Sequence, residues 1–217
     1  MVMTMIKIPK PSIERCCRMY SYLERLQEKG VEKVQSRELG QLLGVPDCTV
    51  RKDISFINKE KNIARSYNVQ NLKVLIGGYF HFDKARNACV VGLGRIGTAL
   101  LAYTNFEKYG FSIVAGFEDN INRLELIKTD VNLYPAYQIQ DIVKREAIEI
   151  ALVAVPADAA PGVIGVLVKA GVKEIVNFAP VVVAVPNDVI VKNVDFTQMM
   201  REVVAFKEMC VSEDNEG

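Results

Sequence analysis

Three glycines, Gly92, Gly94 and Gly97, stand at the spacing G-x-G-x-x-G within Gly92-Leu93-Gly94-Arg95-Ile96-Gly97. Each position answers a different need when backbone must wrap a pyrophosphate. The first glycine permits a tight turn. The second lets phosphates approach the main chain. The third lets the following helix pack closely on its strand. The phosphates then meet free amide groups at a helix N-terminus. Further on, Glu118 and Asp119 stand where a carboxylate can accept hydrogen bonds from adenosine ribose hydroxyls. The alternative is an ordinary α/β turn that happens to be glycine-rich. Hydride-transfer catalysis would also need a proton-transfer side chain beside the nicotinamide. No Tyr-x-x-x-Lys occurs, and the one histidine, His81, lies at the seam between the two halves of the chain. Cys16, Cys17, Cys48, Cys89 and Cys210 form neither C-x-x-C nor a Cys/His metal pattern. They read as buried thiols of a reducing compartment, and no metal site is expected.

The glycine stretch needs a strand before it and a helix after it. Ala88 to Val91 is a short apolar run, and Ile96, Leu100, Tyr103 and Phe106 recur at helical spacing. A second apolar run, Phe111 to Phe117, leads to Glu118. The interval from loop to acid exceeds the usual ~20 residues, which predicts a helix about one turn longer than usual. The alternation then continues. Ile148 to Val155 reads as a strand ending at Pro156, and a helix through Val163 and Leu167 closes at Gly171. Glu174 to Phe178 is a further strand, ending at Asn177-Phe178-Ala179-Pro180, and Val189 to Val191 is a short last one. Strands alternating with helices imply an α/β fold with a doubly wound parallel sheet, in which ligands lie beyond the carboxyl ends of the strands. Gly92 to Gly97, Glu118, Val155, Pro156 and Asn177 to Pro180 would then border one crevice.

The first 84 residues are different in character. They carry 15 Lys+Arg against 9 Asp+Glu, and the remainder 12 against 17, so a half at +6 precedes one at −5. A basic half invites a polyanion. Ser12 reads as the cap of a first helix with Ile13, Cys16, Tyr20, Leu23 and Leu26 on one face. Val31 to Val34 is a short connection, and Ser36 can cap a second helix ending at Gly44. Asp47 can cap a third, with Val50, Ile54 and Ile57 inward. That is a helix-turn-helix pattern. The outward face of the third helix offers Thr49, Arg51, Lys52, Ser55 and Lys59 to bases and phosphates. A merely solvated helix face is the plainer reading of those charges. Residues 58–67 are basic, with Lys59, Lys61 and Arg65, but hold no glycine for a tight wing hairpin. Asn71 to Phe80 reads as another short helix.

No signal-peptide pattern or membrane-length apolar run occurs, so a soluble, cytoplasmic protein is expected. From Asp195 a final helix carries Phe196, Met199, Met200, Val203, Val204 and Phe206, apolar on more than one face. Such a helix suits a dimer contact; burial in its own core is the alternative. Ser212 to Gly217 reads as an acidic, disordered tail.

The chain closely resembles the Rex family of redox-sensing repressors. The resemblance rests on Ile8-Pro9-Lys10 with Arg15; Leu43-Gly44-Val45 with Thr49-Val50-Arg51-Lys52-Asp53 and Ser55; Val91 to Gly97 with Ala99-Leu100-Leu101 and Tyr103; Val155-Pro156-Ala157; Asn177 to Pro180; and Val189-Ile190-Val191 with Asn193-Val194-Asp195. It implies a winged-helix DNA-binding domain over 1–84, a Rossmann NAD(H)-binding domain over 85–194, and a swapped C-terminal dimerisation helix over 195–211, followed by the tail at 212–217. It implies a homodimer that binds operator DNA and leaves it when NADH accumulates, NAD+ permitting binding. Gly92, Gly94 and Gly97 would hold the pyrophosphate. Glu118, where the family usually has Asp, would contact the ribose, and with Asp119 repel the 2′-phosphate of NADPH. Phe196 would approach the nicotinamide pocket. Arg15, Tyr103 and Asp195 occupy the positions of the family's switch network. The family's wing glycines, aligned with Asn58, Lys61, Ala64 and Ser66, are all replaced, which puts normal DNA binding in question. A Rex-like regulator with altered or lost DNA binding, and an NAD-dependent dehydrogenase, are the competing readings.

Overall fold

The computed structural model describes residues 8–58 and 65–213, with side chains through Met209. The chain divides into two compact units, Met1–Lys84 and Ala85–Gly217. Lys59 and Lys61 fall outside the described residues, as do residues 214–217 of the expected tail. The rest of that tail, Ser212 and Glu213, is helical.

In the first unit, α1 (Lys10–Glu28) is followed by β1 (Lys33–Gln35), α2 (Ser36–Leu43), α3 (Asp47–Ile57), β2 (Ser66–Asn68) and α4 (Val69–Phe80). Cys16, Met19 and Leu23 of α1 meet Leu39 and Leu43 of α2, Val50, Ile54 and Ile57 of α3, and Leu72 and Ile76 of α4 in one core. Each fully buried aliphatic side chain contributes about 1.5–3 kcal/mol. The inner stripe of α1 is rotated from the expected one: Met19 is fully buried, whereas Tyr20 packs at the edge. The caps also differ. Ser12 lies inside α1, whose N-cap is Pro9. Ser36 is the first residue of α2, capped by Gln35 through a reciprocal bond with Glu38. Asp47 is the first residue of α3, after Pro46. Neither N-cap proline makes a side-chain cap hydrogen bond; each fixes φ just ahead of the first turn and so directs the chain into the helix.

The short connection expected at Val31 to Val34 runs over Val31 and Glu32, and Lys33 and Val34 already belong to β1. β1 pairs antiparallel with β2, Val34 opposite Tyr67. Gly40 brings α2 and α3 together: a Cβ there would lie 2.6 Å from the Val45 carbonyl oxygen. Gly44, at φ +68, ends α2 in the left-handed conformation that glycine adopts freely.

The second unit is built on six parallel strands: β3 (Arg86–Val91), β4 (Phe111–Glu118), β5 (Asn132–Pro135), β6 (Ile150–Val153), β7 (Glu174–Asn177) and β8 (Ile190–Asn193). Their order in the sheet is β5-β4-β3-β6-β7-β8. The order reverses between β3 and β6, as in a Rossmann fold, and a crevice opens beyond the carboxyl ends at that point. The single longer helix expected after the glycine loop is two short ones, α5 (Arg95–Leu101) and α6 (Asn105–Lys108). The extra residues form a break at Ala102–Thr104 rather than another turn. After β4 come α7 (Ile121–Leu124), β5 and α8 (Ile139–Arg145), then β6 and α9 (Ala160–Ala170), and after β8 the long α10 (Phe196–Glu213).

Burial pushes the Cys16 and Cys89 thiols up to about 12, so both remain protonated fillers of the core. Cys17 and Cys48 are exposed, contrary to the expectation of buried thiols. No helix among the described residues is long and apolar enough to cross a membrane.

Candidate nucleotide and nucleic-acid sites

At the switch point the three glycines have three distinct surroundings. Gly92 has φ +88, and a Cβ on it would meet Val155 Cγ1 at 2.6 Å and the Ala154 carbonyl oxygen at 2.8 Å. That contact joins the end of β3 to the end of β6, so Val155 abuts the loop. A Cβ on Gly97 would lie 2.0 Å from the Gly92 carbonyl oxygen, which fixes how closely α5 sits on the loop. Gly94 faces open space, with nothing within 4 Å. A turn that tolerates no side chain at its ends and is open at its middle matches a cradle for an anion at the start of α5. Arg95 and Ile96 are exposed on the first turn of that helix.

Glu118 lies at the end of β4, 8% exposed. One of its oxygens accepts a hydrogen bond from the Leu93 amide at 2.9 Å. The other accepts from the amides of Asp119 and Asn120, each at 3.1 Å. Arg123 stands 3.7 Å away. The carboxylate therefore fastens the glycine loop to the second strand of the crevice, a role not visible in the sequence motif. Asp119 beside it is exposed. Glu118→Gln sets an amide N–H₂ against a backbone N–H, leaving a donor without its partner. It should lower stability by about 1–3 kcal/mol, read as an earlier midpoint in urea unfolding; an unchanged midpoint would show that the loop holds itself.

Beyond β7, Asn177 is fully buried. Its amide nitrogen donates to the carbonyls of Ala179 (3.2 Å) and Val181 (2.8 Å) and to Asn193 Oδ1 (2.9 Å), while its own oxygen accepts from the Ala179 amide (3.0 Å). Asn177 thus shapes the loop through Phe178, Ala179 and Pro180 and ties it to β8. Phe178 and Ala179 turn inward, and Pro156 and Pro180 are exposed on the strand ends. Phe196 begins α10 at 55% exposed, and Asp195 caps that helix, accepting from the amides of Thr197 (2.9 Å) and Gln198 (3.1 Å). Tyr103 is 49% exposed at the break after α5, with its ring edge against Phe106. Among the described residues no cluster of His, Cys, Asp or Glu could hold a metal ion.

In the first unit, Lys52 is exposed on α3, with Thr49, Arg51 and Ser55 half-buried beside it. Arg51 pairs with Asp47 one turn earlier, and Ser55 donates to the Lys52 carbonyl at 2.7 Å. Arg15 reaches from α1 to the inner face of α3. Its Nε donates to one oxygen of Asp53 at 2.5 Å and its Nη2 to the other at 2.9 Å. Asp53, 1% exposed, escaped the reading of α3 from sequence. The signal was there: Asp53 falls on the stripe of Val50, Ile54 and Ile57, where a charge must find a buried partner.

Residues 7–55 match the family model described as "Putative DNA-binding protein N-terminus", and residues 83–181 match the "CoA binding domain". The redox-sensing transcriptional repressor Rex of Carboxydothermus hydrogenoformans is 37% identical over 200 residues, spanning 92% of this chain and 96% of that protein. Its counterpart in Desulforamulus reducens is 32% identical over 204 residues, spanning 94% and 97%. The crystal structure of RSP in complex with β-NADH is 31% identical, with a TM-score of 0.83 over 95% of this chain and 98% of that one. RSP in complex with β-NAD+ and operator DNA gives a TM-score of 0.84 over 97% and 98%. The likeness runs through both units and the whole length of the relatives, and the chain belongs to the Rex family of redox-sensing transcriptional repressors.

Proposed function

We propose that this protein is a cytoplasmic, homodimeric repressor that reads the NADH/NAD+ balance in its Rossmann unit and holds operator DNA through α3 of its N-terminal unit. It is a regulator and not an enzyme. The observation that carries the nucleotide half is the glycine loop, closed at Gly92 and Gly97 and open at Gly94. Gly92 to Gly97 would hold the pyrophosphate. Glu118, expected to contact the ribose, accepts hydrogen bonds from backbone amides, and Asp119 beside it would meet the ribose edge with it. Val155, Pro156 and Asn177 to Pro180 would border the nicotinamide half. The relatives that carry the proposal to both ligands are RSP with β-NADH and RSP with β-NAD+ and operator DNA.

Thr49, Arg51, Lys52 and Ser55 on α3 are proposed to meet bases and phosphates, with Lys59 and Lys61 adding charge beyond the described helix. The homodimer is supported by α10, where Phe196, Met199, Met200, Val203, Val204, Phe206 and Met209 are all 48–71% exposed. A second copy of this chain, exchanging the same helix, is the partner proposed to cover them. Arg15, Tyr103 and Asp195 are proposed as the relay between ligand and DNA. NAD+ carries a positive nicotinamide and NADH a neutral one, so a nearby carboxylate can change partners between the redox states.

The direct test is a gel-shift titration on a duplex selected from a random pool by the wild-type protein. NADH should release the duplex and NAD+ should not. Asp195→Asn keeps the acceptor that caps α10 and removes the charge, so it should bind the duplex while responding weakly to NADH. A full NADH response in Asp195→Asn would remove Asp195 from the relay.

A further inference from the structure

In the first unit the Tyr67 hydroxyl is buried and has no hydrogen-bond partner among the described residues. Tyr67 lies on β2, opposite Val34 of β1, and packs against the core that holds Val50, Ile54 and Ile57 of α3. A phenylalanine ring would fill the same space without a stranded polar group. An unpaired buried hydroxyl costs stability, so its retention calls for a use. Burial pushes the hydroxyl pKa up and keeps the group neutral, while the positive charge of Arg51 on α3 works against that rise. Arg51 is thus the cation whose field reaches the hydroxyl. Arg51 itself bonds to Asp47 through Nη1. A guanidinium carries five N–H donors, so it can be shared between Asp47, a hydroxyl oxygen and an acceptor on DNA.

We propose that Tyr67 is a positioning residue for Arg51 in the DNA complex: its hydroxyl oxygen accepts a hydrogen bond from the Arg51 guanidinium when that side chain extends to a base edge or a phosphate. A DNA acceptor competes with Asp47 for the guanidinium. An arginine drawn off its carboxylate regains rotational freedom, and ordering it again weakens binding. Tyr67 stands on a strand and not on α3, so it can hold the guanidinium from a second direction and fix its plane. A planar fork reads a base or a phosphate well only when that plane is set. The proposal rests on the reading of α3 as the helix that meets DNA, and adds to it a residue outside that helix.

Tyr67→Phe removes the hydroxyl and keeps the ring. Thermal melting should be no earlier than in the wild type, because the hydroxyl has no bond to lose in the free protein. A gel-shift titration on the selected duplex should show binding about tenfold weaker, the size of one hydrogen bond to a charged group. The decisive reading is a double-mutant cycle at low salt, where weakened complexes are still measurable. In an Arg51→Ala background, Tyr67→Phe should change DNA affinity by less than about twofold, since the partner of the hydroxyl is gone. A tyrosine that only braces β2 against the core would give the same loss in both backgrounds, which would overturn the proposal. So would wild-type DNA affinity in Tyr67→Phe, or an earlier melt showing that the hydroxyl is already bonded in the free protein. If Arg51→Ala alone keeps wild-type DNA binding, the reading of α3 fails first. That outcome is separate from a weakened Arg51→Ala beside a Tyr67→Phe of wild-type affinity, which removes the role of Tyr67 alone.

Discussion

Gly97→Ala should lose NADH binding by ~100-fold or more, close to 3 kcal/mol of binding free energy, and should melt earlier than the wild type. The Cβ it adds would sit 2.0 Å from the Gly92 carbonyl oxygen, and both sides of that clash are backbone. No side chain can swing aside. Helix α5 must move off the loop, at a cost of about 1–3 kcal/mol for forced overpacking. The amides at its first turn then no longer point where the pyrophosphate would lie. Gly94→Ala supplies the control. Nothing lies within 4 Å of its added Cβ, so it should melt like the wild type, yet the methyl occupies the space the phosphates need. Fluorescence titration with NADH and thermal melting on the two variants separate a damaged cradle from a filled one. Wild-type affinity in both would exclude this loop from the nucleotide site.

Arg51→Ala should weaken operator binding by about ten- to a hundredfold, the usual 1–3 kcal/mol for a side chain that reads a base edge or grips a phosphate. Its NADH affinity should stay within experimental error of the wild type. Arg51 is held to Asp47 on the first turn of α3, with its side chain 23% exposed, so it is pre-positioned on that helix rather than free in solvent. A partly exposed pair one helical turn apart contributes little to stability, about 0.3–0.5 kcal/mol. A large loss of DNA binding with little change in melting is therefore the signature of contact rather than of damage. Salt titration sharpens it: loss of a phosphate contact lowers the slope of log affinity against log salt by about one. Undiminished DNA binding by Arg51→Ala would move the reading surface off α3.

Gly92, Gly94 and Gly97 were legible because their requirements are local: a dihedral, a clearance and an open space, each peculiar to glycine. The parallel sheet was legible in the apolar runs at β3, β4, β6 and β7. β5 was not. Asn132–Pro135 mixes polar and apolar residues over four positions, too few for a period to show. The break between α5 and α6 was hidden because Tyr103 and Phe106 keep a helical spacing while packing on each other across the turn. Ser12 and Ser36 were misassigned as caps because serine is a common cap. The prolines and Gln35 that hold those ends act through backbone dihedrals and a reciprocal bond, which composition does not reveal. Glu118 was legible as the end of the second strand, but its bond to the Leu93 amide depends on how two strands lie side by side. Asp53 was passed over because a charged residue between Lys52 and Ile54 looks like surface until its stripe is counted.

The fastening of the loop by Glu118 also bears on what the sensor can measure. If the loop holds the pyrophosphate as proposed, a cradle already shaped before the ligand arrives would grip the part of the dinucleotide that is the same in both redox forms. Every increment of affinity gained there is gained equally by NADH and NAD+, and an interaction shared by both cannot move the balance between two states. Such a grip sets how much total dinucleotide is needed to fill the protein. Discrimination must come from the far end of the molecule. On the proposed site, the two halves of the crevice would act like separate controls on an instrument, one for gain and one for contrast. Loop substitutions should shift the concentration at which the protein responds while leaving unchanged the NADH/NAD+ ratio at which it switches once filled.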